Sequence, residues 1–266
     1  MPVASSCSRA LVADAVAGDA NGDGAIDVSD SVYMERWLLS GGPAPFCDGA
    51  LDVLNDDVVD IGDGYAILYG LFAGGNLPEK VKDDCTVASG VVPGACGDMG
   101  IAVVADPTVN GAANATASFP ASVQVRSSTL AVQAWSFGVE AEGCTATLAG
   151  TGFLVGAGSA SAERHLDAAG LRDQGFNRTD GQAGGVVSGV VLSWRRDVTL
   201  TAGDAAVNIL NLDVVADVPA SGCGTCVLSI TGDVSGLSGP VPVVLTAGGQ
   251  SYEPLATPLT VQVCAD

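Results

Sequence analysis

Residues 18–30 read Gly-Asp-Ala-Asn-Gly-Asp-Gly-Ala-Ile-Asp-Val-Ser-Asp, and residues 51–63 read Leu-Asp-Val-Leu-Asn-Asp-Asp-Val-Val-Asp-Ile-Gly-Asp. The two stretches follow one pattern at a spacing of 33 residues, and a helix-like segment ending in Gly-Gly comes after each of them. Nine aspartates fall within the two windows 19–30 and 52–63. Adjacent like charges repel unless a cation lies among them, so this clustering predicts metal binding.

The first copy has the oxygen donors of a twelve-residue calcium loop. Calcium takes six to eight hard oxygen ligands in a compact turn, and Gly24 at position 6 permits the sharp bend. The alternative is an Asx-rich surface turn without metal. The predicted ligands, at positions 1, 3, 5, 7, 9 and 12, are Asp19, Asn21, Asp23, the carbonyl of Ala25, Asp27 through a water, and Asp30.

The second copy lacks part of this pattern. Position 3 is Leu54, which has no side-chain oxygen, and position 6 is Asp57 instead of glycine. Asn55 can replace the lost ligand, and we expect this loop to bind calcium more weakly than the first, or not at all at low calcium. The remaining predicted ligands are Asp52, Asp56, the carbonyl of Val58, Asp60 and Asp63.

A helix is predicted after each loop, over 29–40 and 62–73, with a Gly-Gly stop. The spacing predicts a core of Met34, Trp37 and Leu38 in the first helix and of Tyr65, Leu68, Tyr69 and Phe72 in the second, with Tyr33, Arg36 or Tyr69 as outward exceptions. Residues 18–75 resemble a type I dockerin, a module with two calcium loop–helix units. The resemblance implies a protein-binding module whose helices dock onto a cohesin.

The eight cysteines divide equally about residue 98. An even number in each half favours disulfides within each half, in an oxidising, extracellular setting; a zinc site at Cys223 and Cys226 is the alternative. Cys85–Cys96 is the most local candidate pair. The cysteines are Cys7, Cys47, Cys85, Cys96, Cys144, Cys223, Cys226 and Cys264.

After residue 98 the sequence changes to about nine short runs rich in Val, Thr, Ala and Leu, separated by Gly, Asn, Asp and Pro. These runs predict a β-sandwich of jelly-roll type, interrupted by a polar insertion over 156–185 with a short helix at 160–169. Runs such as Gln133–Val139 resemble the cohesin-like sandwiches of secreted bacterial proteins. The predicted fold is therefore α + all-β with two domains: a dockerin-like calcium-binding domain over 1–98, and a cohesin-like sandwich over 99–266.

Composition and motifs exclude several classes of function. The chain has 30 acidic and 10 basic residues, a net charge of −20, which disfavours nucleic acid and anionic membranes as partners. No apolar run is long enough to span a membrane. We expect no enzyme, because the single histidine, His165, has no nucleophile motif near it, and the paired Glu140 and Glu142 have nothing distinctive beside them. Trp135, Phe137 and Trp194 are assigned to core packing in preference to sugar stacking.

A chain that carries both a binding surface and the surface that it binds favours open polymers, because each copy can bind the next. The sequence therefore predicts an extracellular or cell-surface structural protein, in which the dockerin-like domain of one copy binds the sandwich of the next and a helical filament forms. A variant of this hypothesis exchanges the terminal segments 1–17 or 257–266 as strands. The alternative is a calcium-dependent module that binds another cohesin- or dockerin-like surface protein or a glycan. The candidate acceptor residues are Arg164, Arg172, Arg178, Arg195 and Arg196.

Overall fold

A computed structural model describes the chain in a helical unit followed by a β-sandwich. The helices are α1 (Val28–Ser40), α2 (Asp48–Leu51) and α3 (Ile61–Phe72). None of the helices in the described ranges is long and apolar enough to cross a membrane. The described residues are 9–10, 16–45, 48–56, 58–72, 75–77, 91–92, 96–155, 170–172, 175–182, 185–192, 199–200, 202–236, 239–248 and 250–266.

Eighteen strands are assigned in these ranges. They are β1 (Arg9–Ala10), β2 (Val91–Val92), β3 (Cys96–Ala105), β4 (Thr108–Gly111), β5 (Thr116–Ser127), β6 (Ala134–Glu142), β7 (Thr145–Val155), β8 (Gly170–Arg172), β9 (Gly175–Gln182), β10 (Gly185–Val191), β11 (Gly203–Asp217), β12 (Cys223–Thr231), β13 (Ser235–Gly236), β14 (Gly239–Pro240), β15 (Val244–Ala247), β16 (Gln250–Tyr252), β17 (Pro254–Thr257) and β18 (Leu259–Ala265).

Two sheets form the sandwich. The larger has nine strands in the order β4-β18-β12-β6-β10-β9-β8, and the hairpin β15–β16 joins it by pairing with β6. The smaller has five strands in the order β17-β3-β5-β11-β7. Most pairs are antiparallel, and β17 with β3 and β18 with β4 are parallel. The predicted β-sandwich is confirmed.

The core of the sandwich lies between the two sheets. Alternate residues of each strand point into it, because successive side chains of a strand face opposite sides. Along β5 this alternation is complete from Ala117 to Val125. Trp135 and Phe137 are fully buried there, and the indole Nε1 of Trp135 donates to Ser188 Oγ at 3.1 Å. Their assignment to the core is confirmed, whereas Trp194 lies outside the described residues.

Two disulfides cross-link strand β12 of the larger sheet to neighbouring segments. Cys223–Cys264 joins residues opposite each other on β12 and β18, and Cys144–Cys226 joins the β6–β7 turn to β12. Both pairs stay within the second half, as predicted, and they exclude a zinc site at Cys223 and Cys226 because both thiols are oxidised. Cys7, Cys47 and Cys85 lie outside the described residues, so the pairing of the first half stays a prediction.

The helical unit consists of α1 and α3, each preceded by one copy of the repeat. Asp27 caps α1 by accepting from Ser29 N at 2.7 Å, and Gly41 ends the helix in the left-handed conformation at φ 63°. Met34, Leu68 and Phe72 are buried, as the spacing predicts. The assignment of Tyr65 to the core is wrong, because Tyr65 is exposed. Of the three alternative outward residues, Tyr69 is exposed, whereas Tyr33 is buried and donates to Ala44 O.

The predicted insertion 156–185 contains two strands, β8 and β9, that extend the larger sheet from β10. These two strands were not predicted, because polar and glycine-rich segments carry little strand signal. The predicted helix at 160–169 lies outside the described residues.

Candidate functional site

The first loop folds around its own aspartates. Asp19 accepts from the backbone N–H groups of Asp23 and Gly24, both at 2.9 Å. Asp30 accepts from Asn21 N at 3.2 Å through one oxygen and from Asp27 N at 2.8 Å through the other. Gly24 has φ 85°, the left-handed conformation that glycine adopts without strain. These bonds draw both ends and the middle of the loop together.

The second loop repeats these contacts at the same 33-residue offset. Asp52 accepts from Asp56 N at 2.9 Å, as Asp19 does from Asp23, and Asp63 accepts from Leu54 N and Asp60 N at 3.0 and 2.9 Å, as Asp30 does from Asn21 and Asp27. Asp56 in turn accepts from Val58 N at 3.0 Å, which matches the bond from Ala25 N to Asp23. The sequence repeat is therefore a structural repeat.

The left-handed backbone at position 4 of each loop explains why the second loop has an asparagine, Asn55, at this position. Asn55 has φ 54°, and its counterpart 33 residues earlier is Gly22, with φ 74°. Asparagine tolerates the left-handed region better than most side chains, so Asn55 keeps the bend that glycine provides in the first loop. The neighbouring Leu54 is exposed, where the first loop has Asn21, and Asp57 lies outside the described residues.

The first loop concentrates buried negative charge. Burial, helped for Asp27 by the neighbouring Asp23, raises the pKa of Asp19 and of Asp27 to about 6 in each case. Burial and the charges of Asp27, Asp19 and Asp23 raise the pKa of Asp30 well above its usual range. A bound divalent cation would offset these unfavourable charges.

The oxygen donors of the first loop are of the kinds that calcium takes, although its carboxylates also bind the loop backbone. In the described ranges no group of three or more His, Cys, Asp or Glu side chains forms a ready-made metal cluster. The loop relies in addition on the amide of Asn21 and the carbonyl of Ala25, and a carboxylate oxygen that accepts an N–H keeps a second lone pair. Asp19, Asn21, Asp23, Ala25, Asp27 and Asp30 would hold the ion.

A buried carboxylate between the helices was missed by sequence reasoning. Glu35 on α1 is buried, and neither carboxylate oxygen has a hydrogen-bond partner among the described residues. Its Oε1 lies where a Cβ on Gly64 would be only 2.9 Å away, so glycine at that position of α3 makes room for it. Burial, together with the charge of Asp60, raises the pKa of Glu35 to about 7.

The helical unit packs onto the outer face of the larger sheet of the same chain. Along β6 and β10, alternate residues point away from the sandwich core, and small side chains such as Ala134 and Gly189 let the helices approach closely. Phe72 lies on Gly189: a Cβ there would be 2.2 Å from Cε1 of its ring. Apolar residues of both units form one buried cluster, which includes Val28, Val32, Met34, Leu68, Leu71, Phe72, Ala134, Val187, Val191, Val234, Val241 and Val244.

Polar contacts complete this docking at the β15–β16 hairpin. The guanidinium of Arg36 donates to Gly248 O in the hairpin turn. Ser251 on β16 donates to Asp27 Oδ2 at 3.1 Å and contacts the hydroxyl of Ser29. The first predicted calcium loop therefore borders the contact between helical unit and sandwich. In the sequence, the signal for this docking face of the larger sheet is the alternation of small and apolar residues in β6 and β10.

The remaining candidate residues are described only in part. Arg164, His165, Arg195 and Arg196 lie outside the described residues, and for Arg172 and Arg178 only the backbone, in β8 and β9, is described. Glu140 and Glu142 are exposed. Within the chain, β18 is hydrogen-bonded on both sides, to β12 and to β4, and strand exchange by 1–17 or 257–266 stays a prediction.

No protein-family model and no curated protein matches this sequence. Among solved structures, the chain is similar to a cohesin module from a family 33 glycoside hydrolase of Clostridium perfringens (12% identity, 64% of this chain and 99% of that chain covered, TM-score 0.38). It is also similar to a type II cohesin domain from the cellulosome of Acetivibrio cellulolyticus (10%, 61% and 94%, 0.37). A third match is a ScaB cohesin of R. flavefaciens in complex with a group 1 dockerin (12%, 65% and 99%, 0.36). Likenesses at these identities and TM-scores do not assign a partner or a function to this chain.

Proposed function

We propose that this chain is an extracellular, non-catalytic structural protein that assembles head to tail, with the helical unit of one copy bound to the sandwich of the next. The contact is heterologous, because the two surfaces differ, and such contacts build open filaments unless the rotation closes a ring. The two disulfides favour an oxidising, extracellular setting.

One observation carries this proposal: one face of the helical unit packs on the sandwich, and on another face large apolar side chains are exposed in the part of the chain that the structure describes. Its inner face packs on the larger sheet through α1 and Phe72. Its outer face exposes Ile61, Tyr65 and Tyr69 on α3. Apolar side chains exposed together on one helix face are a feature of protein–protein contacts.

Calcium has a defined place in this proposal. Ion binding by the first loop would neutralise its buried carboxylates and fix the start of α1, from which Val28 and Val32 dock onto the sandwich. Because Ser251 contacts Asp27 across the two units, we expect calcium to stabilise the docking as well as the loop. The second loop would bind more weakly, since Leu54 supplies no side-chain oxygen.

The alternative function is a calcium-dependent module attached to a separate scaffold. The same exposed tyrosines favour it, because a free apolar helix face suits a foreign partner as well as a second copy. The two proposed functions predict different behaviour of the purified chain: only the structural protein assembles with itself.

The test is the assembly state of the oxidised chain, in calcium and in chelator. We expect light scattering and negative-stain electron microscopy to show filaments that lengthen with protein concentration in calcium. A monodisperse monomer at high concentration in calcium would overturn the assembly proposal. In calcium, the Asp19→Ala variant should behave as the wild type does in chelator and form no filaments. The matched control is Asp106→Ala, which removes an exposed aspartate that also accepts one backbone N–H, from Thr108, outside the loops.

A further inference from the structure

A serine of the sandwich makes polar contacts with the first loop. Ser251 lies on β16, 224 positions after Asp27 in the sequence. Its hydroxyl donates to Asp27 Oδ2 at 3.1 Å, accepts from Asn21 Nδ2 at 3.4 Å and contacts the hydroxyl of Ser29. Asn21 and Asp27 are predicted calcium ligands, at positions 3 and 9 of the loop. A residue of the sandwich therefore contacts two of the predicted ligands.

The carboxylate of Asp27 is held by two hydroxyl groups. Its Oδ1 accepts from the backbone N–H and the hydroxyl of Ser29, and its Oδ2 accepts from Ser251. Asp27 is buried, which limits competition from water and fixes the carboxylate in one orientation. Among the described residues Oδ2 accepts this one bond, so it keeps a second lone pair for a metal ion or for a water bound to it.

The amide of Asn21 is oriented by the same two hydroxyl groups. Its Nδ2 donates to Ser29 and Ser251 at 3.2 and 3.4 Å, and to Asp23 Oδ2 at 3.1 Å. Its Oδ1 accepts from Asp23 N inside the loop at 3.0 Å. Because an amide that donates to the sandwich through its nitrogen presents its oxygen to the loop, the hydroxyls select the orientation in which the oxygen can bind calcium.

The second loop lacks the side chains that meet Ser251. Its positions 3 and 11 are Leu54 and Gly62 instead of an asparagine and a serine. Its Asp60, the counterpart of Asp27, accepts from the backbone N–H of Gly62 at 2.7 Å and is exposed. The backbone cap is therefore common to both copies, and the amide and hydroxyl contacts occur in the copy that faces the sandwich.

We infer that Ser251 is a positioning residue of the first calcium site, which the loop and the sandwich therefore build together. This inference rests on the proposed function, in which the first loop binds calcium, and adds a residue from outside the loop. Ser251 holds the Asp27 carboxylate and the Asn21 amide in the orientation in which their oxygens can bind the ion. Groups that orient metal ligands through hydrogen bonds typically contribute about 10- to 100-fold to metal affinity.

This arrangement couples calcium binding to docking. When the helical unit leaves the sandwich, Asn21 and Asp27 lose the hydroxyl of Ser251, and the calcium affinity of the first loop falls. Linkage is reciprocal, so calcium favours the docked state by the same factor. The contribution of Ser251 to calcium affinity is therefore also the gain in docking that the ion provides through this residue.

Calcium titration by isothermal calorimetry tests the inference on the oxidised chain, in an Asp56→Ala background that weakens the second loop. Ser251→Ala removes the hydroxyl, and we expect the Kd of the first loop to rise about tenfold or more. Ser251→Thr keeps a hydroxyl and should restore most of the affinity. The matched control is Ser118→Ala, which changes an exposed serine on β5 of the other sheet and should leave the Kd unchanged.

Hydrogen exchange separates this positioning role from a purely structural one. The apolar cluster that docks α1 is kept in Ser251→Ala, so in chelator we expect peptides from 28–40 to be protected as in the Ser118→Ala control. The calcium-induced rise in their protection should need about ten times more calcium, in step with the Kd. Weaker calcium binding together with a loss of protection in chelator would mean that Ser251 acts on docking alone, and the inference would be overturned.

The remaining outcomes distinguish this inference from the assembly proposal. A Kd of Ser251→Ala equal to that of the parent chain, or a Ser251→Thr chain that binds as weakly as Ser251→Ala, overturns the inference and leaves the assembly proposal standing. A wild type that binds calcium at the first loop and stays monomeric overturns the assembly proposal and leaves the inference standing. A wild type that binds no calcium at the first loop overturns the calcium assignment and the inference with it.

Discussion

The docking of the helical unit depends on the missing side chain at Gly189. A Cβ at this position would lie 2.2 Å from Cε1 and 2.3 Å from Cζ of Phe72, well inside the ordinary contact distance of 3.4–4 Å. In Gly189→Ala the phenyl ring therefore has to retreat by about 1.2 Å to regain normal contact. Strand β10 pairs on both sides, with β6 and β9, so we expect the helix to move and the strand to stay.

The expected cost follows from overpacking. Adding a methyl group to a closely packed contact costs about 1–3 kcal/mol, which corresponds to about a 5- to 150-fold loss in the docking equilibrium. The substitution weakens docking and leaves the stability of the sandwich unchanged, because Gly189 faces the helical unit and not the sandwich core. Undocking should expose α1 and α3 together, since both belong to the buried cluster that includes Phe72.

Hydrogen exchange measured by mass spectrometry on the full chain provides the assay. In Gly189→Ala we expect faster exchange in peptides from 28–40 and 61–72, with unchanged exchange in β5 and β11. The control is Gly203→Ala, since a Cβ there meets nothing within 4 Å. Adding Phe72→Leu to Gly189→Ala should restore part of the protection by shortening the side chain. Equal exchange in Gly189→Ala and Gly203→Ala would refute the docked arrangement.

Three further predictions concern the metal loop, a disulfide and a buried acid. Asp19→Ala should abolish the calcium-induced rise in protease resistance of 18–75, followed by limited proteolysis; a rise equal to that of the wild type would contradict the ligand assignment. Replacing both Cys144 and Cys226 by alanine should lower the free energy of unfolding by about 4 kcal/mol, because their bond closes a loop of 82 residues. Thermal unfolding with and without reductant measures this loss. A loss smaller than that of ordinary surface variants would be inconsistent with the pairing. In chelator, the helical unit should lose stability as the pH rises from 5 to 7, and Glu35 should account for about 1–2 kcal/mol of this loss after allowance for residual solvation. The pKa of Glu35 is raised to about 7 in the folded chain, which then binds the proton more tightly than the unfolded chain does; the raised pKa values of Asp19, Asp27 and Asp30 add losses of the same sign. Glu35→Gln should flatten that part of the urea-unfolding pH profile, and a slope identical to that of the wild type would show that Glu35 is not responsible.

The local structure of the two loops could be predicted from sequence. An Asx side chain bonds to backbone N–H groups a few residues away, so the aspartates of 19–30 and 52–63 dictate the same bonds in both copies. The helices after the loops were placed to within one residue at each end, at Val28–Ser40 and Ile61–Phe72, because capping and Gly-Gly stops are local signals. The alternation of apolar residues predicted the sandwich for the same reason.

The sequence by itself thus determined the loop repeat, the two helices and the sandwich, since each depends on residues that are neighbours along the chain. Only the tertiary structure decided in which copy of the repeat the helix face of Val28 and Val32, or of Ile61 and Tyr65, is buried. Val32 and Tyr65 occupy equivalent positions and are both compatible with a core, yet Val32 is buried and Tyr65 is exposed. The difference comes from a sheet more than 100 residues away, where Ala134 and Gly189 leave room for the helices. No local pattern in residues 18–75 records the shape of that distant surface, and the same is true of the partners that Cys144 and Cys223 select.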